Sequence, residues 1–412
     1  MRIAIIVRFT LFILLSTLSL NAVTQNCKFI SVQGKSLIDP NGKPFLMKGT
    51  NLGNWLVPEG YMFKFNKANS PRLIQEVMNE LLGPDEARQF WKKWLDSYIT
   101  EADIHYMKSI GMNSIRIPFH YKLFTDEEYL GGHGMARGFE LMDRVLGWCR
   151  KEGLYVILDM HCAPAGQTGD NIDDGYGYPY LFESEEAQAL TIRIWKDIAT
   201  HYAKDCIVLG YDLLNEPIAH YFDKATLNPT LEPLYKKITA AIRETDKNHL
   251  ILLGGVQWDS DFKPFGTPFD DKLVYTFHKY WTPATTAVIQ DYLDFSKKYN
   301  VPLYCGETGE NTDEWVRDFK NVLDSNAVGW HFWPYKKAEN TKGIVEFPLP
   351  KNYDQVIQYA ELPRTTFEDI RKVRPKNIAE VRAALYGFIT NSLFATCTPN
   401  KGYVAALGFK TN

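Results

Sequence analysis

Two apolar runs in this chain end on a glutamate. One is Tyr211-Asp212-Leu213-Leu214-Asn215-Glu216-Pro217, and the other, well downstream, is Tyr304-Cys305-Gly306-Glu307. Buried strands that each stop on a carboxylic acid bring two carboxyl groups to one rim of a sheet. A carboxyl pair of that kind suits the cleavage of glycosidic bonds, with one member as proton donor and the other as nucleophile or base. Glu307, with a cation within reach, is expected to stay ionised, and Glu216, facing that charge, to hold its proton. Both expectations need a scaffold that delivers the two side chains to one place.

The scaffold is legible as a repeated unit of short apolar strand, polar or Gly-containing loop and amphipathic helical stretch. Eight strands are expected: Pro44–Gly49, Ser114–Phe119, Tyr155–His161, Ile207–Glu216, Leu250–Trp258, Leu273–Tyr280, Val301–Glu307 and Val328–Trp333. Helices are expected at Pro84–Ile110, Arg137–Lys151, Glu185–Ala203, Leu231–Thr245, Ala287–Tyr299 and Asp313–Asn326. Continuous apolar strands alternating with helices imply a parallel sheet covered on both faces. Eight such units imply a single (β/α)8 TIM barrel of class α/β. Asp39-Pro40-Asn41-Gly42 is a turn sequence and predicts a short N-terminal hairpin. Lys351 to Asn412 follows no low-complexity linker and is assigned to a C-terminal helical extension, with no second domain. A doubly wound sheet would want a Gly-rich phosphate loop after an early strand, and Thr50-Asn51-Leu52-Gly53-Asn54-Trp55 is not one.

In such a barrel, chemistry gathers at the C-terminal strand ends. The second strand carries Arg116, the third Asp159 and His161, the fourth Asn215 and Glu216, and the sixth His278 and Tyr280. The seventh ends at Glu307, and the eighth carries His331 and Trp333. Side chains two apart share a face of a strand, which places Asp159 with His161 and His278 with Tyr280. Any one of these histidines taken alone reads equally well as a core residue; their joint occurrence is what marks a site.

Composition narrows the chemistry. The chain has 412 residues, 45% hydrophobic, with 46 basic against 49 acidic residues and a formal net charge of −3. It therefore has no polybasic surface for nucleic acid or anionic lipid, and a neutral partner is expected. The heavy aromatic load (10 Trp, 23 Tyr and 24 Phe) suits sugar-ring stacking as well as a large core. No His-x-His pair, His-Glu-x-x-His or Gly-x-Ser-x-Gly occurs, which disfavours a metal hydrolase or an esterase. The acidic loop Ala163–Gly175 fails EF-hand spacing, since Ile172 and Leu181 fall at ligand positions, so hydroxyl recognition is the better reading. No metal or cofactor is expected.

Arg2 and Arg8 precede the apolar run Leu11–Leu20, and Ala22-Val23-Thr24 fits a cleavage site. Residues 1–24 are read as an export signal too short to span a membrane, and residues 25–412 as the catalytic domain of an exported monomer. The six cysteines show no metal spacing; buried free thiols are expected for most of them, with connectivity of any disulfide left open.

The chain also resembles glycoside hydrolase family 5, a set of retaining β-glycosidases on (β/α)8 barrels. The stretches that carry the resemblance are Asn51-Leu52-Gly53-Asn54-Trp55, Ile110 to Pro118, Leu158-Asp159-Met160-His161, Asn215-Glu216-Pro217, His278-Lys279-Tyr280, Gly306-Glu307 and Phe332-Trp333. The resemblance implies that Glu216 is the general acid/base and Glu307 the nucleophile. Asn215 would bind the sugar 2-hydroxyl, and Arg116 with Tyr280 would hold Glu307. His161 and His278 would line the glycone subsite over a floor made by Trp333.

Within that family, Ile99 to Asp103, Asp159 to Pro164 with Gln167 and Asn171, and Phe332 to Lys336 look most like the exo-acting β-1,3-glucosidase branch. That likeness implies a β-linked glucan or oligosaccharide substrate and a glycone wall from the loop after the third strand, here Tyr176, Tyr178, Pro179 and Tyr180. Cys162 and Asp173-Asp174 depart from the branch pattern. An open-cleft endo-β-1,4-glucanase is the runner-up. A barrel that binds glycans without catalysis is the alternative from another class, and it would lack one of the two carboxylates.

Overall fold

The computed structural model describes residues 28–411. The expected export signal and Cys27 lie outside the described residues. Eight strands close into a barrel: β1 (Lys48–Asn51), β2 (Ser114–His120), β3 (Tyr155–Cys162), β4 (Val208–Asp212), β5 (Leu250–Gly254), β6 (Leu273–Tyr280), β7 (Leu303–Gly309) and β8 (Gly329–Phe332). Each pairs in parallel with its neighbours in chain order, and β8 closes onto β1. Every residue of β2, β4, β5 and β7 is buried, as strands covered outside by helices and filled inside by side chains must be.

The first strand lies later than expected. Pro44–Phe45 pairs antiparallel with Ser36–Ile38 and so completes the small N-terminal sheet, leaving Lys48–Asn51 to enter the barrel. Gly49 is there because β1 and β2 approach closely: a Cβ on it would lie 1.8 Å from the Ser114 carbonyl oxygen. Ile30, Leu37 and Met47 from this N-terminal segment pack on Ile157, Leu209, Leu250 and Val274. The hairpin thereby plugs the N-terminal mouth of the barrel, opposite the strand ends that carry Glu216 and Glu307.

The expected helix Pro84–Ile110 is two helices, Pro84–Ser97 and Glu101–Ile110. Thr100 breaks it, because its side chain and that of Asp103 form a reciprocal capping box that starts a new helix. The helix expected at Leu231–Thr245 begins at Lys224, with Asp223 accepting from the backbone N–H groups of Ala225 and Thr226. Pro229 and Pro233 lie within it. The helices at Met135–Glu152, Glu185–Tyr202, Gln290–Tyr299 and Asp313–Ser325 fall where the periodicity puts them.

The C-terminal extension supplies helices Tyr353–Glu361, Phe367–Val373, Ile378–Asn391 and Lys401–Ala406. It shares the main apolar core with the barrel: Phe388 stacks on Phe63 at 5.1 Å and on Tyr353 at 4.8 Å. Lys336, fully buried, fastens the two together, donating to the carbonyls of Tyr98 and Ser392 at 2.7 and 2.8 Å and pairing with Asp103 at 2.6 Å. Cys149, Cys162, Cys305 and Cys397 are free thiols, whereas Cys206 is disulfide-bonded. Among the described residues no helix is long and apolar enough to cross a membrane.

Candidate active site

Arg116, on β2 and wholly buried, is the hub of the strand ends. Its Nε donates to Asp212 Oδ2 at 2.8 Å, and its Nη2 donates to Asn215 Oδ1 at 2.9 Å and pairs with Asp159 Oδ1 at 3.0 Å. Nη1 donates to Glu307 Oε1 at 2.7 Å and to Asn51 Oδ1 at 3.2 Å. A guanidinium can serve five acceptors in one plane because its donors form a rigid fork. Burial pushes the carboxyls of Asp159 and Asp212 up to about 7, against the pull of Arg116. The other oxygen of Glu307 accepts from the Tyr280 hydroxyl at 3.1 Å.

Glu216 stands across from Glu307. A carboxylate oxygen of each, together with an imidazole nitrogen of His278, all lie within 4.8 Å of one another. That spacing would also admit a metal ion, but Arg116 already places a positive charge on Glu307 there. β4 stops at Asp212, short of the expected Glu216, because the chain leaves the ladder: Glu216 has φ 47° and Ile218 φ 54°, both left-handed. Hydrogen bonds hold that turn in place. Gln167 Nε2 donates to the carbonyls of His161 and Asn215, both at 2.8 Å, and the Thr168 hydroxyl donates to the Glu216 carbonyl at 2.8 Å. Burial raises the Glu216 carboxyl to about 7, with His161 and Arg116 opposing.

His278 Nδ1 lies 2.8 Å from Glu216 Oε1, and burial lowers its imidazole to about 3. His161 Nδ1 lies 2.8 Å from Asp159 Oδ2; burial lowers it to about 4, and its ring lies parallel to that of Trp333 at 5.7 Å. Trp333 Nε1 donates to the Tyr61 hydroxyl at 2.7 Å. Gly53 sits under the same indole, and a Cβ there would lie 2.6 Å from the ring. The amide nitrogen of Asn215 is buried without a protein partner, and such a donor is costly to leave unmet. All eight residues expected at the site, Arg116, His161, Asn215, Glu216, His278, Tyr280, Glu307 and Trp333, therefore converge.

Residues 85–339 match the model of the cellulase family, glycosyl hydrolase family 5. The chain belongs to that family. A β-xylosidase of Phanerodontia chrysosporium is 31% identical over 346 residues, 75% of this chain and 71% of the relative. Endoglucanase C of Acetivibrio thermocellus is 26% identical, covering 61% of this chain and 88% of the relative. A glucan 1,3-β-glucosidase of Candida oleophila is 31% identical over 47% of each chain. Among solved structures, an endogalactoceramidase superposes with a TM-score of 0.58 at 17% identity, covering 76% of this chain and 75% of the other. Rutinosidase from Aspergillus niger gives 0.55 at 19%, covering 71% and 90%. These likenesses show the shared barrel.

The cleft of this family 5 glycoside hydrolase has a volume of about 610 Å³ and is also lined by residues not singled out from the sequence, namely Glu59, Tyr61, Asp170, Ile172, Ser260, Trp281, Glu310 and Trp258, the last expected as the end of a strand that stops at Gly254. They sit on loops and short helical turns such as Gly60–Phe63 and Asn171–Asp173; Trp258 and Trp281 both have left-handed backbone, which no periodicity encodes. The loop after β3 also differs from expectation. Tyr176, Tyr178, Pro179 and Tyr180 do not line the cleft. Tyr176 is 75% exposed over Arg72, and Tyr178 packs on Phe222 and Tyr180. Asp170 and Ile172 face the cleft instead.

Asp173 turns inward, and its carboxylate accepts from the backbone N–H groups of Thr168, Gly169 and Gly175. Asp174 is taken by His120 and the Arg72 N–H. Neither Asp173 nor Asp174 is left free to meet a sugar. His331 is likewise core rather than site, its Nδ1 bonded to the Tyr304 hydroxyl and its Nε2 3.0 Å from Ser114 Oγ.

Proposed function

We propose that this protein is an exported, retaining β-glycosidase that removes single sugars from the end of a β-linked glucan or glucoside, with a β-1,3-glucan as the preferred polymer. The observation that carries the reading is the separation of the Glu216 and Glu307 oxygens, within 4.8 Å. Retaining enzymes hold their carboxyl groups ~5–5.5 Å apart, whereas inverting enzymes need ~6.5–9.5 Å to admit a water. Glu307 attacks the anomeric carbon as the glycosidic C–O bond breaks, and Glu216 gives its proton to the departing oxygen. Glu216 then takes a proton from the water that displaces Glu307. Asn215 offers its unpartnered N–H to the 2-hydroxyl, and Trp333 forms the floor beneath the ring.

The exo reading is supported by the Candida oleophila relative named a glucan 1,3-β-glucosidase. A β-xyloside is the second reading, favoured by the broad match to the relative named a β-xylosidase. Export is supported by the disulfide at Cys206, a bond that persists in oxidising compartments. Product analysis tests the whole. Free glucose, released first with β configuration by NMR, is expected from a β-1,3-linked oligosaccharide. Mixed longer products from a β-1,4-glucan would decide for endo action, and faster cleavage of an aryl β-xyloside than of the β-glucoside would reassign the glycone.

The pH profile gives a second check. Glu216 must carry its proton into the first step, and burial holds its carboxyl at about 7. With a substrate whose leaving group needs protonation, kcat/KM should fall above about pH 7, by roughly tenfold per pH unit. A basic limb near the ordinary carboxylate range would mean that the Glu216 carboxyl is not raised in the working enzyme.

A further inference from the structure

Just beyond β5, Gln257 (φ 53°, ψ 58°), Trp258 (φ 58°, ψ 52°) and Asp259 (φ 56°) are left-handed in succession. Residues with a Cβ adopt that conformation only where the surroundings enforce it. What it holds in place is the carboxyl of Asp259, wholly buried behind the catalytic pair. Asp259 Oδ2 accepts from the Glu216 backbone N–H at 3.3 Å and lies 3.3 Å from His278 Nε2, a buried ring nitrogen with no hydrogen-bond partner among the described residues. Gly254 leaves room for it: a Cβ there would lie 2.0 Å from Asp259 Oδ1. Since His278 Nδ1 lies 2.8 Å from Glu216 Oε1, the three side chains form a line from Asp259 through the imidazole to the proposed acid/base.

Two proton arrangements would let the 3.3 Å contact close into a hydrogen bond, and they differ in where the proton of Glu216 sits. If Asp259 is ionised, it accepts the Nε2–H of a neutral imidazole, Nδ1 becomes an acceptor, and Glu216 spends its proton on His278. If Asp259 is neutral, its Oδ2–H donates to Nε2, and Nδ1–H donates to Glu216 Oε1. The proton of Glu216 must then be on Oε2, free for the leaving group. A hydroxyl oxygen can donate to Nε2 while accepting the Glu216 N–H.

We propose that Asp259 is a positioning residue that acts as a neutral acid, fixing His278 as its Nδ1–H tautomer and so placing the proton of Glu216 on Oε2. The proposal rests on Glu216 being the general acid/base. The charges around the line favour it. Arg116 is engaged by Asp159, Asp212 and Glu307, and among the described residues no Lys or Arg side chain pairs with Asp259. Burial, then Asp212 and Glu216, raise the Asp259 carboxyl well above its ordinary value against the pull of Arg116. His278 stays neutral, pushed down by burial although Glu307 lies 3.8 Å from its Nδ1. Other titratable groups around the line are His161 from β3, Tyr280 beside His278 on β6, Tyr235 and Tyr292 on the helices packed near Asp259, and Asp170, Glu59, Tyr61 and Glu310 lining the cleft.

Nitrogen-15 NMR of the histidine-labelled protein, with His278 assigned by its loss in His278→Asn, should show protonated Nδ1 and unprotonated Nε2 from pH 5 to 8. The reverse tautomer would overturn the proposal. Asp259→Ala should lower kcat at least about tenfold on alkyl glycosides, part of the ~10²–10⁴ that a positioned acid contributes. Activated dinitrophenyl glycosides, which need no proton, should be far less affected. Asp259→Asn keeps an N–H donor toward Nε2 and should recover part of the loss. Equal losses on both substrate classes, in an enzyme whose Glu216→Ala variant still spares activated substrates, would refute the role of Asp259 alone. If Glu216→Ala showed no dependence on leaving group, the acid/base assignment itself would fall.

Discussion

Replacing Glu307 by alanine should remove turnover with every glycoside, by at least about 10⁴-fold in kcat, as its proposed role of nucleophile requires. The loss comes from one geometric fact: Glu307 is held from both sides, by Arg116 Nη1 at 2.7 Å and the Tyr280 hydroxyl at 3.1 Å, so that its oxygens are aimed before substrate arrives. Added azide separates the two carboxyl roles. In Glu307→Ala, azide enters the space of the missing carboxylate and should yield a glycosyl azide of inverted configuration. In Glu216→Ala the covalent intermediate still forms from an activated aryl glycoside, and azide should intercept it with net retention. Retained product from Glu307→Ala, or inverted product from Glu216→Ala, would exchange or abolish the assignments.

Arg116→Ala should do the greatest damage to stability of any single change at the site. It strips the cation from Asp159, Asp212 and Glu307, the first two wholly buried. Removing one partner of a buried ion pair costs about 3–5 kcal/mol because the charge left behind is uncompensated. Thermal unfolding should therefore come markedly earlier. Arg116→Lys keeps the charge but has no planar fork for the five acceptors, so it should retain the fold while kcat drops by roughly 10²-fold or more. Unchanged kinetics in a folded Arg116→Lys protein would reduce the guanidinium to a brace.

Much of this arrangement could be read from the sequence because parallel barrel strands are uniformly apolar and their polar ends stand out. Arg116, Glu307 and the β6 pair His278 and Tyr280 are legible for that reason. β1 is misplaced because Lys48–Asn51 has no apolar run; its small residues answer to the close approach of Ser114, a tertiary demand. The break at Thr100 carried a readable signal, since Thr-x-x-Asp is a cap as well as a stretch of helix formers. Glu59 and Trp281 were out of reach, and Trp258 was legible only as the end of a strand that in fact stops at Gly254. Their approach to the cleft depends on loop backbone with no period, and for Trp258 and Trp281 on left-handed φ that only the folded surroundings impose. Asp173 and Asp174 illustrate the opposite difficulty, because an acid that ties its own loop and one that binds a ligand look alike in sequence.

That self-tied loop bears on how such a molecule can change its diet. Asp173 gathers the loop on three backbone N–H groups, and Gln167 anchors its base to the catalytic turn. Ile172, which reaches the cleft, is carried on that frame by its backbone, whereas Asp170 also ties the loop, accepting from the Asn171 N–H at 2.7 Å and the Tyr221 hydroxyl at 2.9 Å. Exchange at Ile172 is therefore the change expected to alter what is recognised while leaving the register of Glu216 and Glu307 untouched. A lineage built on this barrel can explore new sugars by small steps, each variant still folded and still chemically competent while its preference drifts.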